Sequence, residues 1–235
     1  MPTLVLIPGL VSDSSVWQAV ADASPLPVHH ADVTRDSSLP AMAERLLAEV
    51  DGEVIPVGHS MGGRVALEMA RQAPARVRGL VLADTGAAPA REEELPQRRA
   101  MIALGHEDMS RLVDVWLPPM VHPARHGDDA LMGPLRDMVL RAGAEVHERQ
   151  IRALIDRPDA TGLLPQLDCP VLLLVGRQDD WSPVSQHQRM AELAPDAELV
   201  VIEDAGHFAP VEQPAAVADA VAGWLRRRFP ENTGR

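Results

Sequence analysis

Short apolar runs recur along this chain and alternate with stretches whose apolar residues return every three or four positions. The runs near residues 3–7, 27–31, 53–57, 79–84, 171–175 and 198–203 are bounded by turn formers, the pattern of short buried strands. After the third run, Val65, Ala66, Met69 and Ala70 recur at helical spacing. Near the end, Val217, Ala220, Val221, Trp224 and Leu225 form one apolar stripe, with Pro214 suited to the first turn of that helix. Such alternation predicts an α/β fold: a doubly wound, mostly parallel sheet of about six strands with helices on both faces.

Between Gly86 and about Pro165 the alternation stops, and the residues read as several helices broken at Pro96, Pro118-Pro119, Pro123, Pro134 and Pro158. The division is therefore a core of residues 1–85 and 166–235 with a helical insertion over 86–165. Met101, Met109, Met120, Met132 and Met138 fall in the insertion, where flexible thioethers suit packing or an apolar pocket. The segment from Pro230 to Arg235 reads as a frayed tail.

Composition narrows the chemistry. The 235 residues suit one domain with a large core, 46% hydrophobic and 24% charged. No apolar run approaches the roughly 18 residues of a membrane span. The run from Leu4 to Ile7 lacks a basic leader and is broken by Pro8-Gly9, so it reads as a strand, and a cytoplasmic location is expected. A formal charge of −12 argues against nucleic acid and acidic membrane surfaces as partners. All 22 basic residues are arginine and tyrosine is absent, which excludes lysine Schiff bases and phenolic acids. The single Cys169 permits neither an internal disulfide nor a cysteine-cluster metal site and reads as a packing residue; no metal or organic cofactor is expected.

The densest chemical signal is Gly58-His59-Ser60-Met61-Gly62, between an apolar strand and a helical pattern. Glycines at these positions allow a sharp strand-to-helix turn that exposes the serine hydroxyl as a nucleophile. A hydroxyl needs a base, and the base a group to orient it. His207, in Asp204-Ala205-Gly206-His207-Phe208, follows the sixth apolar run, and Asp179 follows the fifth. Ends of parallel strands lie on one side of an open sheet, where ligands bind, so Ser60, Asp179 and His207 can converge. Asp180 is the weaker candidate for the acid. Asp84 and Asp32 read as turn residues at strand ends.

These motifs and their order resemble the α/β-hydrolase superfamily over most of the chain. Gly176, Asp179 and Pro183 match the family's acid segment, and Gly206-His207 its base segment. The resemblance implies Ser60 as nucleophile, His207 as general base and then acid, and Asp179 as the carboxylate that fixes and stabilises the imidazole. It places oxyanion donors at the backbone amides of Leu10, after the first strand, and Met61, although Pro8 stands where the family usually has histidine. It also makes residues 86–165 a lid over Ser60, and implies that the family's amino-terminal hairpin is missing from the core.

The implied activity is cleavage of small or medium carboxylic esters through an acyl-enzyme, with a small-molecule ester as substrate. The sequence carries no signal for oligomeric state. Trp116, Trp181, Phe208, Arg149 and Arg152 are candidate substrate contacts, the two arginines as carboxylate clamps. The lid's ten arginines face thirteen acidic residues, so most are expected in solvated i,i+4 pairs, and Arg64 is assigned to the surface of the helix after the nucleophile. Two alternatives stand beside the esterase. One is a carbon–carbon bond hydrolase or a menaquinone-pathway-type lyase, disfavoured because His59 and Phe208 occupy the places where carbon–carbon hydrolases commonly have Asn and Trp. The other, from a different class, is a ligand receptor or signalling protein built on the same fold.

Overall fold

A computed structural model describes residues 1–230, so the tail reading at 231–235 lies outside the described residues. Six strands, β1 (Thr3–Ile7), β2 (Val28–His30), β3 (Val54–His59), β4 (Leu80–Ala83), β5 (Val171–Gly176) and β6 (Ala197–Ile202), form one sheet. Their order is β2-β1-β3-β4-β5-β6, and every pairing is parallel. β1, β3, β4 and β5 are almost wholly buried, which explains why they read as unbroken apolar runs with no alternation.

The core helices are α1 (Gln18–Ala23), α2 (Leu39–Glu49) and α3 (Met61–Gln72). From β1 the chain steps outward to β2 and returns past β1 to β3, reversing direction. Because parallel crossovers are right-handed, α1 must lie on the face opposite α2 and α3. Side-chain packing agrees: α2 packs against α3, whereas α1 packs against the carboxyl-terminal helix. The reversal opens a crevice at the carboxyl ends of β1 and β3. There the register pairs Ile7 with Gly58, which brings Gly9-Leu10 beside Ser60.

Between β4 and β5 run α4 (Leu95–Glu107), α5 (Met109–Trp116) and α6 (Asp129–Ile155), which pack on one another. Pro96 begins α4 and Pro118-Pro119 open a 3-10 turn, as expected of proline at first-turn positions. Pro134 lies inside α6 without ending it. The break in that helix falls instead at Gly143, whose φ of 76° only glycine adopts without strain. The core resumes with α7 (Val184–Leu193), α8 (Ala209–Glu212) and α9 (Pro214–Arg228). Along α9, Val217, Val221, Trp224 and Leu225 are buried. No described helix is long and apolar enough to cross a membrane.

Candidate active site

Ser60 sits between β3 and α3 with φ 54° and ψ −114°, a conformation that costs a non-glycine residue about 1–3 kcal/mol. Its surroundings over-determine it. The Ser60 N–H donates to Ala83 O at 2.9 Å, and Thr85 Oγ1 donates to Ser60 O at 2.6 Å. The flanking glycines permit the crowding: a Cβ on Gly58 would stand 2.2 Å from Gly62 O, and one on Gly62 would stand 2.3 Å from Ile7 O.

His207 lies after β6, its Nε2 2.8 Å from Ser60 Oγ and its Nδ1 2.9 Å from Asp179 Oδ2. Asp179 follows β5 and is buried; its Oδ1 accepts the N–H groups of Trp181 and Ser182, each at 2.8 Å. Burial alone would raise the Asp179 carboxyl, but the His207 charge, its hydrogen bond and the two amides outweigh it and hold the group below its ordinary value. Asp180, one residue on, is exposed. The structure thus brings together the hydroxyl, imidazole and carboxylate of Ser60, His207 and Asp179.

Two further residues, His59 and Glu212, hold this row in place. Buried His59 donates from Nε2 to the backbone O of His207 at 2.6 Å, which leaves Nδ1 as an unpartnered acceptor. Burial, then the nearby His207 charge, pushes its imidazole down to about 3, so it stays neutral. Glu212 accepts from Gly206 N–H at 2.9 Å, Phe208 N–H at 3.3 Å and His122 N–H at 2.8 Å, pinning both sides of the His207 loop. Asp84 departs from its expected role: Oδ1 does not cap its own turn but accepts Gly176 N–H at 2.8 Å, tying β4 to the end of β5. Burial, reinforced by the Asp179 charge, raises the Asp84 carboxyl well above the ordinary range. Asp32 does make the local turn, accepting from Thr34 N–H at 2.9 Å.

The loop after β1 presses against the elbow, since a Cβ on Gly9 would lie 2.8 Å from His59 Nδ1 and 3.3 Å from Ser60 Cβ. Beyond Leu10, Val11 adopts φ 47°, and its N–H donates to Gln150 Oε1 at 2.7 Å. Gln150, fully buried on α6, also donates from Nε2 to Val33 O at 3.0 Å. A glutamine from the inserted helices therefore holds the loop that carries Leu10, a long-range contact that no local pattern announces.

Above these groups lies a cavity of about 850 Å³, lined by Leu10, Ser60, Met61 and His207 from the core and by insertion residues that include Met101, Trp116 and Met120. Trp181 and Val115 form exposed apolar parts of its wall, at 46% and 55% exposure. Of the proposed contacts, Trp116 and Trp181 line the cavity; the other three do not. Phe208 is buried behind it against His59 and Trp116. Arg149 is drawn away to Thr34 O and Arg152 to Glu148, at 2.6 Å, so neither is a clamp in this cavity. Arg64 corrects the surface assignment in the opposite sense: its side chain lines the cavity wall. Met109, Met132 and Met138 pack against the hydrophobic core. Burial pushes the Cys169 thiol up to about 11, which leaves no reactive thiolate.

The model of the alpha/beta hydrolase family matches residues 4–220. The chain belongs to that family. A thermophilic esterase from Thermogutta terrifontis, solved with malate bound, superposes with a TM-score of 0.89 at 30% identity, covering 97% of this chain and 90% of the other. A pimeloyl-[acyl-carrier protein] methyl ester esterase of Neisseria meningitidis serogroup B is 29% identical over 86% of this chain and 82% of its own. A putative carbamate hydrolase, RutD, of Pseudomonas savastanoi pv. phaseolicola is 27% identical over 91% and 89%.

Proposed function

We propose that this alpha/beta hydrolase cleaves small or medium carboxylic esters through an acyl-enzyme on Ser60. The observation that carries the reading is the hydrogen-bonded row Ser60 Oγ, His207, Asp179, with steps of 2.8 and 2.9 Å, at the cavity that Ser60 and His207 line. His207 Nε2 takes the hydroxyl proton as Oγ attacks the ester carbonyl, and Asp179 holds the tautomer that presents Nε2 and stabilises the resulting imidazolium. The carbonyl oxygen gains negative charge beside the amides of Leu10 and Met61, each such donor contributing about 3 kcal/mol to the transition state. His207 then protonates the leaving alcohol, activates a water for deacylation, and returns the proton to Ser60. The α4–α6 insertion acts as a lid that limits water around these groups. Relatives that include named esterases support the ester as substrate.

A steady-state panel of p-nitrophenyl esters of increasing chain length, with Ser60→Ala beside the parent, tests the reading. Sustained, chain-length-selective turnover that disappears in the variant is expected. A single turnover followed by a stable complex would instead indicate a receptor, and product from a vinylogous 1,5-diketone without ester cleavage would indicate carbon–carbon chemistry.

A further inference from the structure

Arg64 lies in the first turn of α3, four residues beyond Ser60, and both line the same cavity. Its Nη1 donates to Ala88 O at 2.8 Å, and it enters no ion pair among the described residues. The same wall contains Arg91, Arg98 and Arg157, all of which pair with one carboxylate, Glu94, at 3.4, 2.8 and 2.9 Å. Glu94 loses some solvation there, yet its hydrogen bonds to Arg157 and Arg98 more than offset this and hold its carboxyl at about 2. Asp180 is the other carboxylate lining the cavity. Four arginines thus face two carboxylates in the wall of a chain whose formal charge is −12.

Arg91 is largely solvated and Arg98 and Arg157 share Glu94, so Arg64 is the arginine of this wall without a carboxylate partner among the described residues. Loss of solvation, then repulsion from Arg157 and Arg98, push the Arg64 guanidinium down to about 9, so it remains charged at neutral pH but in a setting that favours an added anion. Glycine at 86 lets both Arg64 and Gln186 close on the backbone there, since a Cβ would stand 3.2 Å from Arg64 Nη2 and clash with Gln186 Nε2, which also donates to Thr85 O at 2.9 Å. Both are donors, and both line the cavity that holds Ser60.

We propose that this wall is an anion subsite in which Arg64, backed by Arg98 and Gln186, holds a carboxylate carried by the substrate a few bonds from the scissile ester. The substrates are then half-esters of short dicarboxylic acids, a class that rests on the ester-cleaving reading above. A guanidinium offers two parallel N–H donors that match a carboxylate, and Arg64 lines the same cavity as the nucleophile.

The test compares p-nitrophenyl hydrogen glutarate with p-nitrophenyl pentanoate, which has the same acyl length without the charge. The protein should favour the glutarate at least tenfold in kcat/KM, chiefly through KM. Arg64→Met should lower this ratio at least tenfold, Arg64→Lys should restore part of it, and Arg98→Gln should reduce it less because Arg98 is shared with Glu94. Binding of the same two esters to Ser60→Ala by calorimetry reads the subsite without turnover. Preference in binding with no turnover by the parent protein keeps the subsite and overturns ester cleavage. Turnover of both esters without a preference, or a preference that survives Arg64→Met, overturns the subsite.

Discussion

Replacing Gln150 by methionine should slow catalysis from a position on the inserted helices. The substitution nearly conserves volume and removes two buried hydrogen bonds, at 2.7 Å to Val11 N–H and 3.0 Å to Val33 O. Each orphaned backbone group costs about 1–3 kcal/mol, partly offset because a glutamine amide is no longer desolvated, so a loss of about 2–4 kcal/mol in stability is expected. Val11 is β-branched at φ 47°, a conformation worth about 1–3 kcal/mol of strain that the Gln150 acceptor helps to hold. Once released, the loop relaxes and carries the neighbouring Leu10 amide away from the place proposed for the oxyanion. Losing one donor lowers kcat by about 100-fold, with a smaller effect on KM, because the interaction forms in the transition state. Urea unfolding gives the stability change; kcat on p-nitrophenyl butyrate, measured well below the variant's melting temperature, gives the catalytic one. A variant that is destabilised yet retains its full kcat would make Gln150 a strut between lid and core and refute its link to the oxyanion loop.

Other consequences follow from the buried ionisable groups. Asp179→Asn should reduce kcat/KM by about 10⁴, whereas Asp84→Asn, which replaces a carboxyl raised by burial and keeps an acceptor for Gly176 N–H, should lower kcat/KM far less and leave unfolding stability equal or higher; the reverse ranking in kcat/KM would exchange the two carboxylates. Buried His59, His147 and His187 are held at about 3, 4 and 4, mainly by burial, against an ordinary 6.5. The unfolded chain therefore binds more protons below pH 6.5, and stability present above that pH is lost as the pH falls towards 4, by about 2 kcal/mol per histidine at pH 5. Urea midpoints that stay flat from pH 7 to 5 would contradict this. His147 has both ring nitrogens buried and unpartnered, so His147→Leu should raise stability by about 1–2 kcal/mol in urea, and a loss would reveal a partner for the ring.

The strands and the elbow were legible because their determinants are local. Val54–Val57 and Val171–Val175 are buried on both faces, and Gly58, Gly62, Gly176 and Gly206 stand where chain segments approach within a Cβ's reach. The cavity's own lining was not legible. Arg149 and Arg152 were plausible clamps by type, yet in a charged insertion their guanidinium groups find Thr34 O and Glu148 first. Arg64 read as a surface residue because helical periodicity within α3 cannot reveal that the insertion covers that face. Gln150 and Glu212 escaped notice because they act on backbone amides, which have no sequence signature.

Several carboxylates reach this end of the sheet, and their hydrogen-bond donors decide which one serves the imidazole. Asp84 is fully buried and receives Gly176 N–H with no cation in contact, so desolvation prevails and its carboxyl is raised. Glu212 receives three backbone N–H groups, but it too is raised, by burial that those bonds only partly counter. Asp179 alone among the three adds His207 to two backbone donors, and it alone is held below its ordinary value. Backbone amides by themselves thus do not secure an anion at this depth; Asp179 also relies on the His207 imidazole. That dependence of Asp179 on His207 predicts an asymmetry. Removing the imidazole in His207→Leu should raise the Asp179 carboxyl and make the protein's stability more sensitive to pH between 4 and 7, an effect absent from Ser60→Ala. Equal pH profiles for the two variants would mean that the Trp181 and Ser182 amides suffice to keep Asp179 ionised.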